Sequence, residues 1–223
     1  MTFSIVGRCE KTGQFGIAIS SSSPAVAARC SHVRAKIGVV ASQNITDPDL
    51  GPLTLDAMAA GLTAENAVVS VLHNRPHVEY RQLLAIDQRG NVAIHSGKNV
   101  LGTWSEAKGK NCAAAGNLLA NNAIANVMVS SFEATSGQLA ERLLVALEAA
   151  NAAGGEAGPV HSAGLKVADT LNWPYVDLRI DWSDSPIQNL RSAWEVYKPQ
   201  AGAYVQRAQN PTQAPSYGVP GDL

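Results

Sequence analysis

Thr2 follows the initiating methionine, and a methionine in front of so small a residue is readily trimmed. Trimming would leave a hydroxyl and a free α-amine on the same residue. A hydroxyl is a weak nucleophile until a base takes its proton, and an α-amine of pKa roughly 7.7–8.0 can be that base at neutral pH. Threonine is also an ordinary second residue, so the chemistry depends on whether the fold holds it inside a site.

Other residues could complete such a site. Asn117 follows Gly116 at the end of a run of small residues, Asn111 to Gly116, where its amide could donate to a developing oxyanion. It could equally close an Asx turn before the next helix. The serine run Ser20 to Ser23, ahead of Pro24, offers Ser21 and Ser22 as pocket hydroxyls or as turn residues bonding their own backbone. Gln43 and Asn44 open a loop rich in amides and hydroxyls, Gln43-Asn44-Ile45-Thr46-Asp47-Pro48. Asp177, Arg179 and Asp181 alternate and so share one strand face, as a substrate clamp built on the Arg fork or as a solvated, ion-paired edge. His161 joins Ser21, Ser22, Gln43, Asn44, Asp177 and Arg179 as a substrate-binding candidate, with Thr2 and Asn117 as the catalytic ones.

Metal chemistry finds little support. His73 and His77 are four residues apart, but Pro76 between them breaks the helix that would align them, and His32 and His95 have no ligand-type neighbours. HExxH, GxSxG, P-loop and GxGxxG patterns are all missing. Neither a metal nor a cofactor is expected.

The elements that must position these residues follow from periodicity. Phe3, Ile5 and Cys9 alternate with Thr2, Ser4 and Arg8, which predicts a strand from Thr2 to about Cys9. A turn at Gly13 returns the chain as a second strand, Phe15 to Ser20. Further strands are expected at Ala35 to Ser42, Tyr80 to Ile86, Asn91 to Ser96, Asn111 to Gly116, Val160 to Ala168 and Tyr175 to Trp182. Helices are expected at Leu53 to Ala60, Ala64 to Leu72 behind a Thr63 cap, Asn122 to Ala134, Gln138 to Ala150, and from Ser185-Pro186 to about Tyr197. Leu139, Leu143 and Leu147 form a buried stripe on the fourth of these. Gln206 to Leu223 reads as a tail with little structure of its own, lying on the body or on a second subunit. Hairpins alternating with helix pairs indicate an α+β protein with antiparallel sheets and helices outside them.

Composition narrows the function. In 223 residues, 17 basic and 18 acidic side chains are spread without a Lys/Arg cluster, so neither nucleic acid nor a membrane is an expected partner. Three cysteines, widely spaced and without CxxC, fit reduced thiols in a cytoplasmic protein. Ala- and Val-rich composition with a Pro-rich tail suggests a homodimer clasped by that tail.

The stretches MTFSIV, GQFGIAISSSSPAV, ASQNITDPDLG, AAGNLLA, ERLLVALEAANAAGGEAG with HSAGLKVAD, and VDLRIDW together resemble the family labelled domain of unknown function 1028. The resemblance runs from Thr2 to about Tyr204, and the end APSYGVPGDL is similar to one branch. It implies the N-terminal-nucleophile hydrolase superfamily and its four-layer α-β-β-α sandwich, here over residues 1–204, with 205–223 as the tail. By that resemblance Thr2 matches the nucleophile, while Ser21, Asn44 and Asn117 match polar positions of the cleft. The chain departs from the family pattern at Ser22 and at Glu156-Ala157-Gly158-Pro159. Two classes of function are then in play. One is a hydrolase cleaving a C–N bond (amide, ureido or isourea-like) in a small-molecule substrate; the other is a non-catalytic binding or scaffold protein on the same fold.

Overall fold

The chain enters its first strand at once, and that strand ends up at the centre of the larger of two sheets. The computed structural model describes residues 1–219. In chain order they form β1 (Thr2–Arg8), β2 (Phe15–Ser21), α1 (Val26–Cys30), β3 (Ser31–Arg34), β4 (Gly38–Asn44), α2 (Leu50–Ala59), α3 (Ala64–Leu72), β5 (Arg81–Asp87), β6 (Val92–Ser96), β7 (Ser105–Gly109), β8 (Cys112–Asn117), α4 (Ile124–Ala134), α5 (Leu139–Ala152), β9 (Ser162–Ala168), β10 (Pro174–Ile180), α6 (Pro186–Tyr197) and α7 (Ala201–Gln209). Six strands make one sheet in the order β10-β9-β2-β1-β8-β7, and four make a second, β3-β4-β5-β6. Every pairing is antiparallel.

Strand periodicity separates the packing into three cores. Phe3 and Ile5 of β1, Ala18 of β2 and Leu165 of β9 meet Phe132 of α4 and Leu143 and Leu147 of α5. From the opposite face of the same strands, Val6, Ile17, Ile19 and Ala115 meet Val39 and Ala41 of β4 and Leu84 and Ile86 of β5. The outer face of the four-stranded sheet, with Val40 and Ala85, carries α2 and α3 through Leu55, Met58 and Val68. α5 lies very close to β2: a Cβ on Gly16 would stand 2.7 Å from Leu143 Cδ1 and 2.9 Å from the Lys166 carbonyl oxygen.

Most expected elements are present, including the buried Leu139/Leu143/Leu147 stripe and the Thr63 cap, whose Oγ1 accepts from Asn66 N at 3.3 Å. Four elements were not anticipated, α7 among them. The five-residue α1 is too short to show helical periodicity and is entered through Ala25 at φ 52°. β3 precedes the expected third strand, which itself runs from Gly38 rather than Ala35. β7, SEAKG, is a polar strand at the sheet edge without an apolar face to betray it. Ser185 and Pro186 do open α6, yet the Ser185 side chain makes no cap bond. Ser183 Oγ ties the approach to the helix, accepting from Ser185 N at 3.0 Å and Asn189 Nδ2 at 2.8 Å.

The C-terminal segment is more ordered than its composition suggests. α7 runs through Gln209, past the expected boundary at residue 204. Tyr204 stacks on Tyr197 of α6 at 5.6 Å, and the Arg207 guanidinium sits 3.7 Å over the Tyr217 ring while donating to the Pro215 carbonyl at 3.0 Å. The last four residues of the expected tail, 220–223, lie outside the described residues. All three cysteines are unpaired, with Cys30 and Cys112 buried. Among the described residues no helix is long and apolar enough to cross a membrane.

Candidate active site at the start of β1

β1 begins between β2 and β8, with Thr2 directly opposite Asn117 and Phe3 opposite Ser20. The alternation that sends Phe3 and Ile5 toward the helices sends Thr2, Ser4 and Val6 toward the four-stranded sheet. Both faces of β1 are therefore buried, and its polar face becomes an interior wall.

Thr2 is 5% exposed. Its Oγ1 donates to the Met1 carbonyl oxygen and lies 3.4 Å from Ser21 Oγ. Ser21 Oγ donates to the same Met1 oxygen and accepts from Ser23 N at 3.0 Å. Two hydroxyls on neighbouring strands thus converge on one carbonyl.

Behind Thr2 runs a chain of polar side chains, of which Ser4, Gln43, Gln82 and Asn117 are fully buried. Ser4 Oγ donates to Gln43 Oε1 at 2.6 Å, and Gln43 Nε2 donates to Gln82 Oε1 at 2.8 Å and to the Ala115 carbonyl at 3.2 Å. Asn117 Nδ2 donates to the same Gln82 oxygen at 3.3 Å. Gln82 Nε2 continues to Ser96 Oγ at 3.1 Å, which donates to Glu106 Oε2 at 2.6 Å. A buried amide left without a partner costs about 1–3 kcal/mol, which is why such chains are normally closed throughout. Here the exception is Asn117 Oδ1, which is buried and has no hydrogen-bond partner among the described residues.

Glu156 closes the other side. It pairs with Leu119 as an isolated bridge, and Ala157 N donates to the Leu118 carbonyl at 3.0 Å, so the 154–158 turn pairs alongside the two residues that follow β8, beside Met1. Both Glu156 carboxylate oxygens lie 3.2 Å from Ser22 N. The side chain thus bridges the end of β2 and the extension of β8, across the point where β1 starts. Burial pushes the Glu156 carboxyl up to about 7, against the pull of the Met1 α-ammonium and of the Ser22 hydroxyl and N–H. Gly158 lies next to Met1, whose methyl carbon is 4.0 Å from where a Cβ on that glycine would stand.

The remaining candidates disperse. Asn44, at φ 73°, ties loops together: its Nδ2 donates to the Tyr80 carbonyl at 2.6 Å and its Oδ1 accepts from Leu101 N at 3.3 Å. His161 N donates to the Ser21 carbonyl at 2.8 Å, but its ring stacks on Trp182 at 4.5 Å, with Nδ1 3.2 Å from the Ser183 carbonyl and 3.5 Å from Asp184. Asp177 and Arg179 sit on the edge strand β10, three strand spacings or roughly 14 Å from β1, where Asp177 pairs with Lys166 at 3.2 Å and Arg179 at 3.5 Å. The structure brings Thr2, Ser21 and Asn117 together, links Gln43 and Ser22 to them through the buried chain and Glu156, and leaves Asp177 and Arg179 apart.

Residues 2–190 match a family of unknown function, DUF1028. The chain belongs to that family. Its fold matches protein SPO2555 from Silicibacter pomeroyi, also assigned to DUF1028, at a TM-score of 0.86 and 29% identity over 92% of this chain and 90% of that one. Anbu, the ancestral beta-subunit from Yersinia bercovieri, aligns at 11% identity and a TM-score of 0.38 over 92% of this chain and 97% of that one. No curated protein matches the chain.

Two members of this DUF1028 site escaped the sequence reading. Gln82 lies in RQLLAID, where a single amide inside an otherwise apolar strand was the available signal. Glu156 sits in a Gly-rich stretch that stands out only as a departure from the family pattern, without a role for its carboxylate. That the Glu156 residue is 4% exposed is visible only in the folded chain. Among the described residues no group of three or more His, Cys, Asp or Glu side chains is placed to hold a metal ion.

Proposed function

We propose that this DUF1028 protein is an N-terminal-nucleophile hydrolase built as a four-layer α-β-β-α sandwich, cleaving a C–N bond of the amide, ureido or isourea type in a small molecule. The observation that carries the reading is the placement of the Thr2 hydroxyl: buried at the start of a central strand, 3.4 Å from Ser21 Oγ and opposite Asn117, whose Nδ2 spends one of its two N–H groups on Gln82 and has a second to donate. Removal of Met1 frees the Thr2 amine to act as base. The hydroxyl then attacks the carbonyl-type carbon, its proton passes to the amine, and Asn117 or nearby backbone N–H groups hold the oxyanion. The C–N bond breaks as the leaving nitrogen takes the proton, and water releases the ester from Thr2.

Intact-mass analysis of the protein from its native host, paired with a screen of small amides and ureides, tests this. Loss of Met1 together with turnover supports the mechanism. Full retention of Met1 in an active enzyme rules out the Thr2 amine as base.

The second reading, a non-catalytic binding protein, draws on a different observation. With Met1 in place Thr2 is covered, while a cavity of about 580 Å³ opens at the other end of β1, lined by Arg8, Cys9, Lys11, Lys110, Glu133 and Arg142. Ligand binding by a protein that keeps Met1 and turns over no amide would favour it. Under either reading we take the protein as a homodimer, which light scattering at micromolar concentration checks.

A further inference from the structure

Met1 lies on the acyl side of Thr2, and three walls meet it. Its carbonyl oxygen is held by the hydroxyls of Thr2 and Ser21. Its side chain runs over Gly158, which has no side chain to obstruct it. Its α-ammonium is the charge that acts most strongly on Glu156. In effect the first residue occupies the site as an aminoacyl group would.

Once Met1 leaves, Glu156 loses that countercharge. Its carboxylate then keeps donors from Ser22 alone, the hydroxyl and the backbone N–H, although an ionised carboxylate can accept about four hydrogen bonds. A buried carboxylate held by one neighbour is costly to ionise unless a cation joins it, and otherwise it takes up a proton. The Thr2 amine cannot be that cation during reaction, because it must be neutral to act as base. A positive group on the substrate can.

Resting on the hydrolase reading, we propose that Glu156 binds the α-ammonium group of the substrate, so that the site acts on amides of α-amino acids and Glu156 determines that specificity. The bound ammonium would lie between Glu156 and the Ser21–Ser22 turn, with the acyl carbonyl where the Met1 carbonyl now sits and an unbranched side chain over Gly158. Attack by Thr2 Oγ1 forms the aminoacyl ester and expels ammonia, and water then yields the free amino acid and restores the hydroxyl.

The probes are L-methioninamide, which carries the ammonium, and N-acetyl-L-methioninamide, which does not. With protein shown by mass to lack Met1, the first should be preferred in kcat/KM at about neutral pH by at least about tenfold, the value of a charge-assisted hydrogen bond. In Glu156→Gln that ratio should collapse toward one. Equal turnover of the two amides by the wild-type protein overturns the inference while leaving the hydrolase reading intact. If neither amide is turned over, calorimetric binding of the same two compounds to the wild-type protein decides. Tenfold tighter binding of the cation upholds the Glu156 site, whereas equal or undetectable binding overturns it. That measurement needs no variant, so a Glu156→Gln protein that fails to fold leaves the test in place.

Discussion

Glu156 reaches across the start of β1 to Ser22, placing both carboxylate oxygens 3.2 Å from the Ser22 backbone nitrogen. That one contact joins the end of β2 to the turn that follows α5 and fixes the rim around Thr2. It also buries a carboxylate beside a site where charge has to be managed.

The buried Glu156 should make stability depend on pH. Its carboxyl is raised from 4.5 to about 7 in the folded chain, so the native state binds the proton more tightly than the unfolded one. The resulting stabilisation is fully present below about pH 4.5 and is lost as the pH rises through about 7, on the order of 3 kcal/mol in all. Glu156→Gln keeps an acceptor for Ser22 N without the charge. Urea unfolding should show the variant more stable than wild type at pH 8 and equal to it near pH 4.5. The same difference at both pH values would contradict the assignment.

Thr2→Ala should abolish hydrolysis of any amide the wild type accepts, because no other hydroxyl carries its own amine. Thr2→Ser should keep part of it. An active Thr2→Ala protein would move the nucleophile elsewhere, with Ser21, 3.4 Å away, the first to examine.

Asn117→Ala should slow turnover by ~10²–10³ without abolishing it, the usual cost of one oxyanion donor. The folded state should tolerate the change, since the substitution also removes the unpartnered buried Oδ1. Single-turnover kinetics with a circular-dichroism check on folding separate the two effects.

Gln82 accepts from both Gln43 and Asn117 while donating to Ser96, so Gln82→Leu strands several buried groups at once. The expected loss is about 1–3 kcal/mol for each group left without a partner. Gln43→Leu should cost a similar amount, and the double variant less than the sum of the two, because each already breaks the shared bond. Additive urea midpoints would mean the chain is not coupled.

Gly16→Ala should destabilise by about 1–3 kcal/mol through overpacking. Its Cβ would press on Leu143 and on the backbone oxygen of Lys166, which cannot rotate away. A lowered urea midpoint with an unchanged slope is the expected signature.

The order of hairpins and helix pairs was legible from the sequence because local periodicity carries it. Phe3 and Ile5 alternate, Leu139, Leu143 and Leu147 recur every four residues, and Gly90 turns at φ 87° between β5 and β6. α1 and β3 were not legible: each is too short for a period to form. Thr2, Ser21 and Asn117 could be named as candidates from residue type alone, and the antiparallel register then set Thr2 opposite Asn117. The sequence could not say that the polar face of β1 is interior, since alternation looks the same whether the second face meets water or another sheet. Sheet-on-sheet packing decided that, and with it the burial of Ser4, Gln43 and Gln82. It also could not bring Glu156 to Ser22, 134 residues apart, or keep Asp177 away from Thr2. Those relations depend on which strands become neighbours, and strand order is settled by long-range packing rather than by any local pattern of residues.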